Sequence, residues 1–235
     1  MTKQEKIKYA QNCICETWLF PEDSFTRSEN VIFETDKTFF EIITFGGNAI
    51  MRVDEKISNW CTEKFFNTPA NEILDGENLF LIEGKLREHG KKLGGEHLRF
   101  LHLNDEICVS KPGDFSFELY EKDQISELYS DKRFNNALNY YNDVLAIVAR
   151  INGEIAAMAA ADDNTCGLWQ IGIDTLDEYR GKGLAAYLVK EIVCEIEKRG
   201  KVPFYTTWSA NIASMRVAMA AGFCPVWINY FAENL

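Results

Sequence analysis

The chain has 235 residues, 46% of them hydrophobic and 26% charged, and carries a formal net charge of −11. This length can bury one large core or two modest ones, in a composition ordinary for a globular protein. The acidic balance argues against nonspecific nucleic-acid binding and suits a cationic small molecule such as an amine.

Met1 to Ala10 is polar and charged, unlike a secretory leader, and no apolar run approaches membrane-spanning length. A cytoplasmic protein with no membrane partner is therefore expected. Lys3 to Trp18 has helical spacing, with Ile7, Ala10, Ile14 and Trp18 on one face. Phe39 to Phe45 is a predicted strand, Gly46-Gly47-Asn48 a turn, and Ala49 to Val53 the partner strand. Glu55 to Phe66 and Glu77 to His89 are predicted helices, and His97 to Leu103 a further strand. The turn cluster Lys111-Pro112-Gly113-Asp114 is the expected domain boundary. It would separate a smaller N-terminal α/β domain, residues 1–112, from a C-terminal domain, residues 113–235.

Beyond it, Phe115 to Tyr120 alternates as a strand and short helical pieces follow around Ile125 to Leu138. Val144 to Ile151 and Glu154 to Ala161 flank Asn152-Gly153, the strongest short-range hairpin signal. A strand from Leu168 to about Thr175 then hands over to a helix reaching about Arg199, followed by a strand from Val202 to Trp208. A second helix comes next, with Ser209 available to cap it and Gly222 placed to end it, and Pro225 to Phe231 is the last strand. The order predicts a mixed α+β fold, a central mixed sheet flanked by helices.

Seven scattered cysteines fit reduced thiols better than a disulfide framework. Cys13 and Cys15 are too close together for a zinc knuckle, and the three histidines lie far along the chain, so no metal site is expected.

The most informative segment is Arg180-Gly181-Lys182-Gly183-Leu184-Ala185, at the handover from strand to helix. Glycines permit a tight turn and leave no Cβ in the way of a ligand. The first amides of a helix lack intrahelical partners, and the dipole adds partial positive charge there. With Arg180 and Lys182 beside it, such a turn suits pyrophosphate. Its spacing is neither that of a P-loop nor that of a dinucleotide fold. Asn211, Ser214 and Gly222-Phe223 form a second element about thirty residues on.

Together these residues resemble the GNAT acetyltransferase superfamily, whose acetyl-CoA signature is matched by Arg180, Gly183 and Ala185 and whose following motif is matched by Asn211, Ser214 and Gly222-Phe223. The resemblance covers roughly Asp114 to Leu235; the whole chain looks similar to the two-part GNAT proteins that include zwittermicin-resistance acetyltransferases. It implies acetyl-CoA as co-substrate, transfer to a small-molecule amine, and pantetheine pairing with the backbone at Ile173 and Thr175. Gly172 would ease a splay in that strand. The sequence departs from the family at Ala218, where many members carry a tyrosine acting as general acid, and at Trp169, where some carry a glutamate. Tyr205 and Tyr230 are candidate replacements for the acid, and Asp174 is the nearest candidate base. The acceptor cleft is expected between the two halves, and a homodimer is compatible with the pattern. A noncatalytic acyl-CoA sensor, or an interaction module, is the competing reading.

Overall fold

The computed structural model describes residues 1–140 and 142–235. Along the chain run α1 (Lys3–Trp18), β1 (Val31–Glu34), β2 (Phe40–Thr44), β3 (Ala49–Val53), α2 (Glu55–Phe65), α3 (Ala70–Ile73), α4 (Gly76–Arg87), β4 (Lys91–Leu93) and β5 (His97–His102). They continue as β6 (Ser116–Glu121), α5 (Lys122–Ile125), β7 (Asp143–Ile151), β8 (Glu154–Thr165), β9 (Leu168–Thr175), α6 (Leu184–Lys198), β10 (Val202–Trp208), α7 (Ile212–Ala220) and β11 (Phe223–Asn234). The elements form a mixed α+β fold with a central mixed sheet flanked by helices, as the sequence order predicts. They group into two compact units. The first comprises Met1–Cys13, Phe100–Thr207 and Asn211–Pro225, and the second Ile14–Arg99, Trp208–Ala210 and Val226–Leu235.

In the first unit, β6, β7, β8 and β9 form an antiparallel meander, and β10 joins β9 in parallel. Parallel neighbours need a crossover, which α6 provides. The β7–β8 hairpin closes on Asn152 and Gly153, whose φ values of 52° and 84° are those of the twisted two-residue turn that Asn-Gly favours. Apart from Met158, every residue from Ala156 to Ala161 in β8 is alanine, so elements can pack closely on either face. On one face Ile125, Leu128, Phe134, Ala137 and Leu138 pack against Ala146, Val148, Met158 and Ala160. Helix α6 lies against β7, β8 and β9 and buries Leu184, Leu188, Val189, Ile192, Val193 and Ile196 at helical spacing. Each such side chain contributes about 1.5–3 kcal/mol, so this stripe holds the helix and fixes where its first turn lies.

In the second unit, β1 runs parallel to β3, β3 antiparallel to β2, β2 antiparallel to β11, and β4 pairs with the end of β11. Period-2 alternation turns Phe40, Ile42, Met51, Val53 and Tyr230 to one side, where Ile57, Cys61, Phe65, Ile73, Ile82 and Leu86 close a core over them. Asp54 and Asp75 cap α2 and α4 by accepting from Lys56 N–H and Asn78 N–H.

The units do not divide at Lys111–Asp114. Residues 1–13 and 100–113 belong with the C-terminal elements because specific contacts hold them there. Lys6 Nζ donates to the His102 carbonyl at 2.9 Å and Tyr9 Oη to the Cys166 carbonyl at 2.9 Å. Leu103 N–H and Asn104 N–H both donate to the Gly222 carbonyl. The expectation of seven reduced thiols is also corrected. Cys13 and Cys166 are disulfide-bonded, with Cα atoms 5.8 Å apart, while Cys61, Cys108, Cys194 and Cys224 keep free thiols. A separation of 153 residues hides that neighbourhood from the sequence.

Candidate functional site

The site begins where a ladder stops. Strands β9 and β10 pair from Leu168–Val202 to Ile171–Tyr205 and no further, although β9 continues to Thr175 and β10 to Trp208. From Gly172 onward β9 keeps β8 on its other side, with Ala159 opposite Ile173 and Ala157 opposite Thr175. Its β10-facing backbone is left as a short open edge, and an open edge accepts an extended chain as an added strand. Ile173 and Thr175, the positions implied for pantetheine, lie on this edge. Thr175 Oγ1 and Thr206 Oγ1, from the two strands of the fork, are solvent-inaccessible and have no hydrogen-bond partner among the described residues. Buried hydroxyls without partners are uncommon in folded proteins.

Gly172 explains part of the fork's geometry. A Cβ there would lie 2.4 Å from the Asn136 carbonyl oxygen and 2.6 Å from that of Ala137. The close approach anticipated at this glycine is thus made by the chain itself. Asp174 clamps the same loop, accepting from Asn136 N–H at 2.7 Å, Asn136 Nδ2 at 2.9 Å and Ala137 N–H at 3.0 Å. A carboxylate with three donors on it is a structural clamp for the loop beneath the fork.

The chain leaves β9 through a single 3₁₀ turn, Asp177–Tyr179, into the basic glycine loop. Arg180 Nε donates back to the Thr175 carbonyl at 3.3 Å, tying the loop to the end of the open edge, and its guanidinium meets Asp177 at 3.0 Å. Gly181 and Gly183 have φ of 75° and 78°, in the left-handed region that glycine adopts without penalty, and no atom lies within 4 Å of where a Cβ would stand. Gly183 is the N-cap residue of α6 and offers no side-chain cap. The first-turn amides of Leu184 and Ala185 therefore have no side-chain cap, and the positive end of the helix lies at this point. Lys182 adds its ammonium there, 5.1 Å from the Tyr179 ring. Backbone donors at a helix start with basic side chains beside them suit phosphate oxygens.

Helix α7 supplies the third part. Asn211 is its N-cap, accepting from Ser214 N–H at 3.1 Å; the cap is Asn211 rather than Ser209. Its Oδ1 is thereby engaged, and its Nδ2 is a donor group. Ser214 Oγ lies 2.8 Å from Tyr205 Oη, joining α7 to the last paired residue of β10. Tyr205 is 2% exposed. Burial raises its pKa, with the charge of Asp174 adding to the rise and the Ser214 hydrogen bond opposing it, so the phenol holds its proton at neutral pH. Ala218 is fully buried in α7. Tyr230 lies in the second unit, where its phenol donates to Glu96 Oε2 at 2.9 Å, and burial followed by that carboxylate raises its pKa.

The structure thus brings Ile173, Thr175, Arg180 to Ala185, Tyr205, Asn211 and Ser214 into one unit, on a fork and two helix starts. Thr206 was not anticipated; only a register could reveal it as an unpartnered hydroxyl past the end of a ladder. Away from the fork, His102, Asp105 and Glu197 place one ligand-type atom each within 4.8 Å of one another. A cation already occupies that cluster: Lys6 Nζ is 2.8 Å from Glu197 Oε1 and 3.7 Å from Asp105 Oδ1.

A forked parallel pair thus stands beside an uncapped, basic helix start on one sheet. The chain belongs to the GNAT acetyltransferase family, whose model matches residues 95–227. Its fold is shared with solved structures. A GCN5-related N-acetyltransferase-like protein from Streptococcus suis matches at 18% identity and a TM-score of 0.50, over 68% of this chain and 69% of that one. A GCN5-related N-acetyltransferase from Sphaerobacter thermophilus matches at 12% identity and a TM-score of 0.50, over 68% of this chain and 57% of that one. At these identities the likeness is one of fold. No curated protein matches the chain.

Proposed function

We propose that the chain is an acetyl-CoA-dependent N-acetyltransferase acting on the amine of a small cytoplasmic molecule, by direct transfer in a ternary complex. The observation that carries the reading is the β9–β10 ladder ending at Ile171–Tyr205 directly before the uncapped start of α6. The residues fit the co-substrate. The exposed amides after Gly183, with Arg180 and Lys182, hold pyrophosphate. The Ile173 and Thr175 backbone holds the pantetheine arm, and Thr175 Oγ1 and Thr206 Oγ1 gain partners in the fork. Asn211 Nδ2 donates to an amide carbonyl of the arm.

When bound, acetyl-CoA supplies an acyl group on a thiol leaving group. An N–H of β9 at the fork faces the thioester oxygen and stabilises charge developing on it. Tyr205, held by Ser214 at 2.8 Å and protonated at neutral pH, gives its proton to the leaving thiolate in place of the side chain absent at Ala218, and the proton that the neutral amine sheds as it becomes an amide restores the phenol. Alignment on rigid elements supplies much of the remaining acceleration. Because Ala218 offers no acid, a noncatalytic acyl-CoA sensor is the second reading. Release of free CoA thiol, followed across small amines, amino acids, polyamines and aminoglycoside-like compounds, separates the two. Amine-dependent release supports transfer; acetyl-CoA binding without release to any amine supports the sensor.

A further inference from the structure

A cavity of about 580 Å³ opens within the second unit, lined by residues 28–30, 47–48 and 66–71. That size suits a small-molecule ligand, and nothing in the acyl-transfer reading uses it. Three chain segments meet there: the entry to β1, the β2–β3 turn, and the link from α2 into α3. Two buried asparagines tie them together. Asn30, 3% exposed, donates through Nδ2 to the Phe65 and Thr68 carbonyls, both at 2.6 Å, and accepts from Ala49 N–H at 2.7 Å. Asn48, 6% exposed, donates through Nδ2 to the Ser24 carbonyl at 2.7 Å and the Glu29 carbonyl at 3.1 Å. Buried networks of this kind rigidify what they join, so the walls stand in a fixed arrangement.

The walls offer a mixed set of hydrogen-bonding groups. Two carbonyl partners fix the orientation of the Asn48 amide, because only its NH2 end can donate to them. Its Oδ1 has no hydrogen-bond partner among the described residues and is not one of the side-chain atoms sealed from solvent. An unpaired acceptor on a buried, cavity-lining side chain is therefore within reach of a ligand. Glu29 adds a second acceptor. Ser28 Oγ donates to its Oε2 at 2.7 Å, which holds the carboxyl below its ordinary range and ionised, and Oε1 stays open. Asn67 and Asn71, both exposed, add amides that donate as well as accept, and Phe66, 41% exposed, adds an aromatic ring.

Among the described residues no lysine, arginine or histidine lines the cavity, so an anion finds no countercharge. One carboxylate is a poor match to a divalent cation. An ammonium would use the acceptors and leave the amide donors idle. Neighbouring hydroxyls use both, since each donates and accepts, and the apolar face of a sugar ring can lie on an aromatic side chain.

We propose that this cavity binds a neutral, hydroxyl-rich ligand of sugar type, whose hydroxyls pair with the Glu29 carboxylate and the Asn48, Asn67 and Asn71 amides. All of these groups lie in the second unit, and the inference does not rest on the acyl-transfer reading. The test titrates glucose, galactose, N-acetylglucosamine and maltose into the isotope-labelled full chain and follows amide resonances by NMR. At least one sugar should shift the Gly47 backbone amide and the Asn67 and Asn71 side-chain amides saturably. Glu29→Gln, which keeps the shape and loses the charge, should raise the Kd about tenfold. Asn71→Ala, at an exposed position, should raise it several-fold with the melting temperature unchanged. Gly47 has a φ outside the left-handed region and, beyond the adjacent residues, no atom within 4 Å of a would-be Cβ. Gly47→Phe should therefore fold and abolish binding by filling space at the cavity wall.

Shifts that stay linear with concentration for every sugar overturn the inference. Saturable shifts at these amides with the diamine putrescine, and none with the sugars, overturn it in favour of a cation site. Parental affinity in both Asn71→Ala and Gly47→Phe would place the sugar elsewhere and also overturn it. Should Gly47→Phe fail to fold, Glu29→Gln and Asn71→Ala decide, and parental affinity in both removes the site.

Discussion

At the scale of single residues, the cradle depends on what Gly183 lacks. Its φ of 78° and the space around a would-be Cβ, clear of every atom within 4 Å beyond the adjacent residues, mean that a side chain there starts into the volume proposed for phosphate. Gly183→Asp should therefore fold, at a cost of about 1–2 kcal/mol for a left-handed non-glycine residue. It should abolish acetyl-CoA binding through bulk and negative charge; calorimetry showing parental affinity would mean the cradle is misplaced. Tyr205→Phe tests the acid: it should keep acetyl-CoA affinity and lower kcat by about a hundredfold. Ser214→Ala, which only frees the phenol, should cost less, and equal rates in all three proteins would remove Tyr205 from the chemistry. Arg180, Gly183 and Asn211 were legible in the sequence because local spacing alone makes a helix start bare or capped. Asp174 was legible as a carboxylate near the strand end but not as a clamp, because its three donors come from residues 136 and 137. Thr206 was illegible, since an orphan hydroxyl exists only relative to a register.

At the scale of elements, strong periodicity and turn chemistry were enough for α1, the β7–β8 hairpin, α6 and β10. The short β1, β4 and α3 escaped, because three or four residues give neither a helical nor an alternating period time to emerge. What no local pattern shows is how α1 is anchored in the first unit. Lys6 Nζ donates to Glu197 Oε1, and Lys190 Nζ lies 3.1 Å from His102 Nε2. An ammonium can only donate, so Nε2 accepts and the ring proton sits on Nδ1, 3.2 Å from the same Glu197 oxygen. These partners, His102 first and then Lys6, hold the Glu197 carboxyl at about 2, well below its ordinary 4.5. A depressed carboxyl pKa stabilises the fold fully above the unfolded value and loses that contribution as pH falls from about 4.5 through about 2. Glu197→Gln should accordingly be less stable than the parent at pH 7, with the gap closing over that window. Denaturant melts at stepped pH measure it, and a gap that stays constant to pH 2 would show that the clamp contributes nothing through its charge.

At the scale of the whole molecule, the division of the chain into units was the least legible feature. A turn cluster such as Lys111–Asp114 marks a local break, whereas a unit is defined by contacts between distant segments. Phe100 and Leu101 are 1% and 0% exposed, and Phe100 meets Tyr205 edge-on at 6.3 Å. A fragment starting at Asp114 loses these side chains, His102 and the Lys6 anchor, so it should fail to fold by circular dichroism. A native-like spectrum would show that those buried contacts are dispensable. The intact chain offers the sharper test, because every group assigned to acetyl-CoA lies in the first unit. Binding to the native state alone stabilises by about 2.7 kcal/mol at one hundred times Kd. Local openings that expose the bound region should be suppressed by a similar amount. Hydrogen exchange with saturating acetyl-CoA should therefore slow at the open edge of β9 from Gly172 to Thr175, through Gly181 to Ala186, and at the start of α7. Amides of β1, β3 and α4 make no part of the cradle and should exchange by local opening at their original rates. Protection appearing in those second-unit elements while the β9 edge stays unprotected would place the nucleotide elsewhere and overturn the reading of the fork.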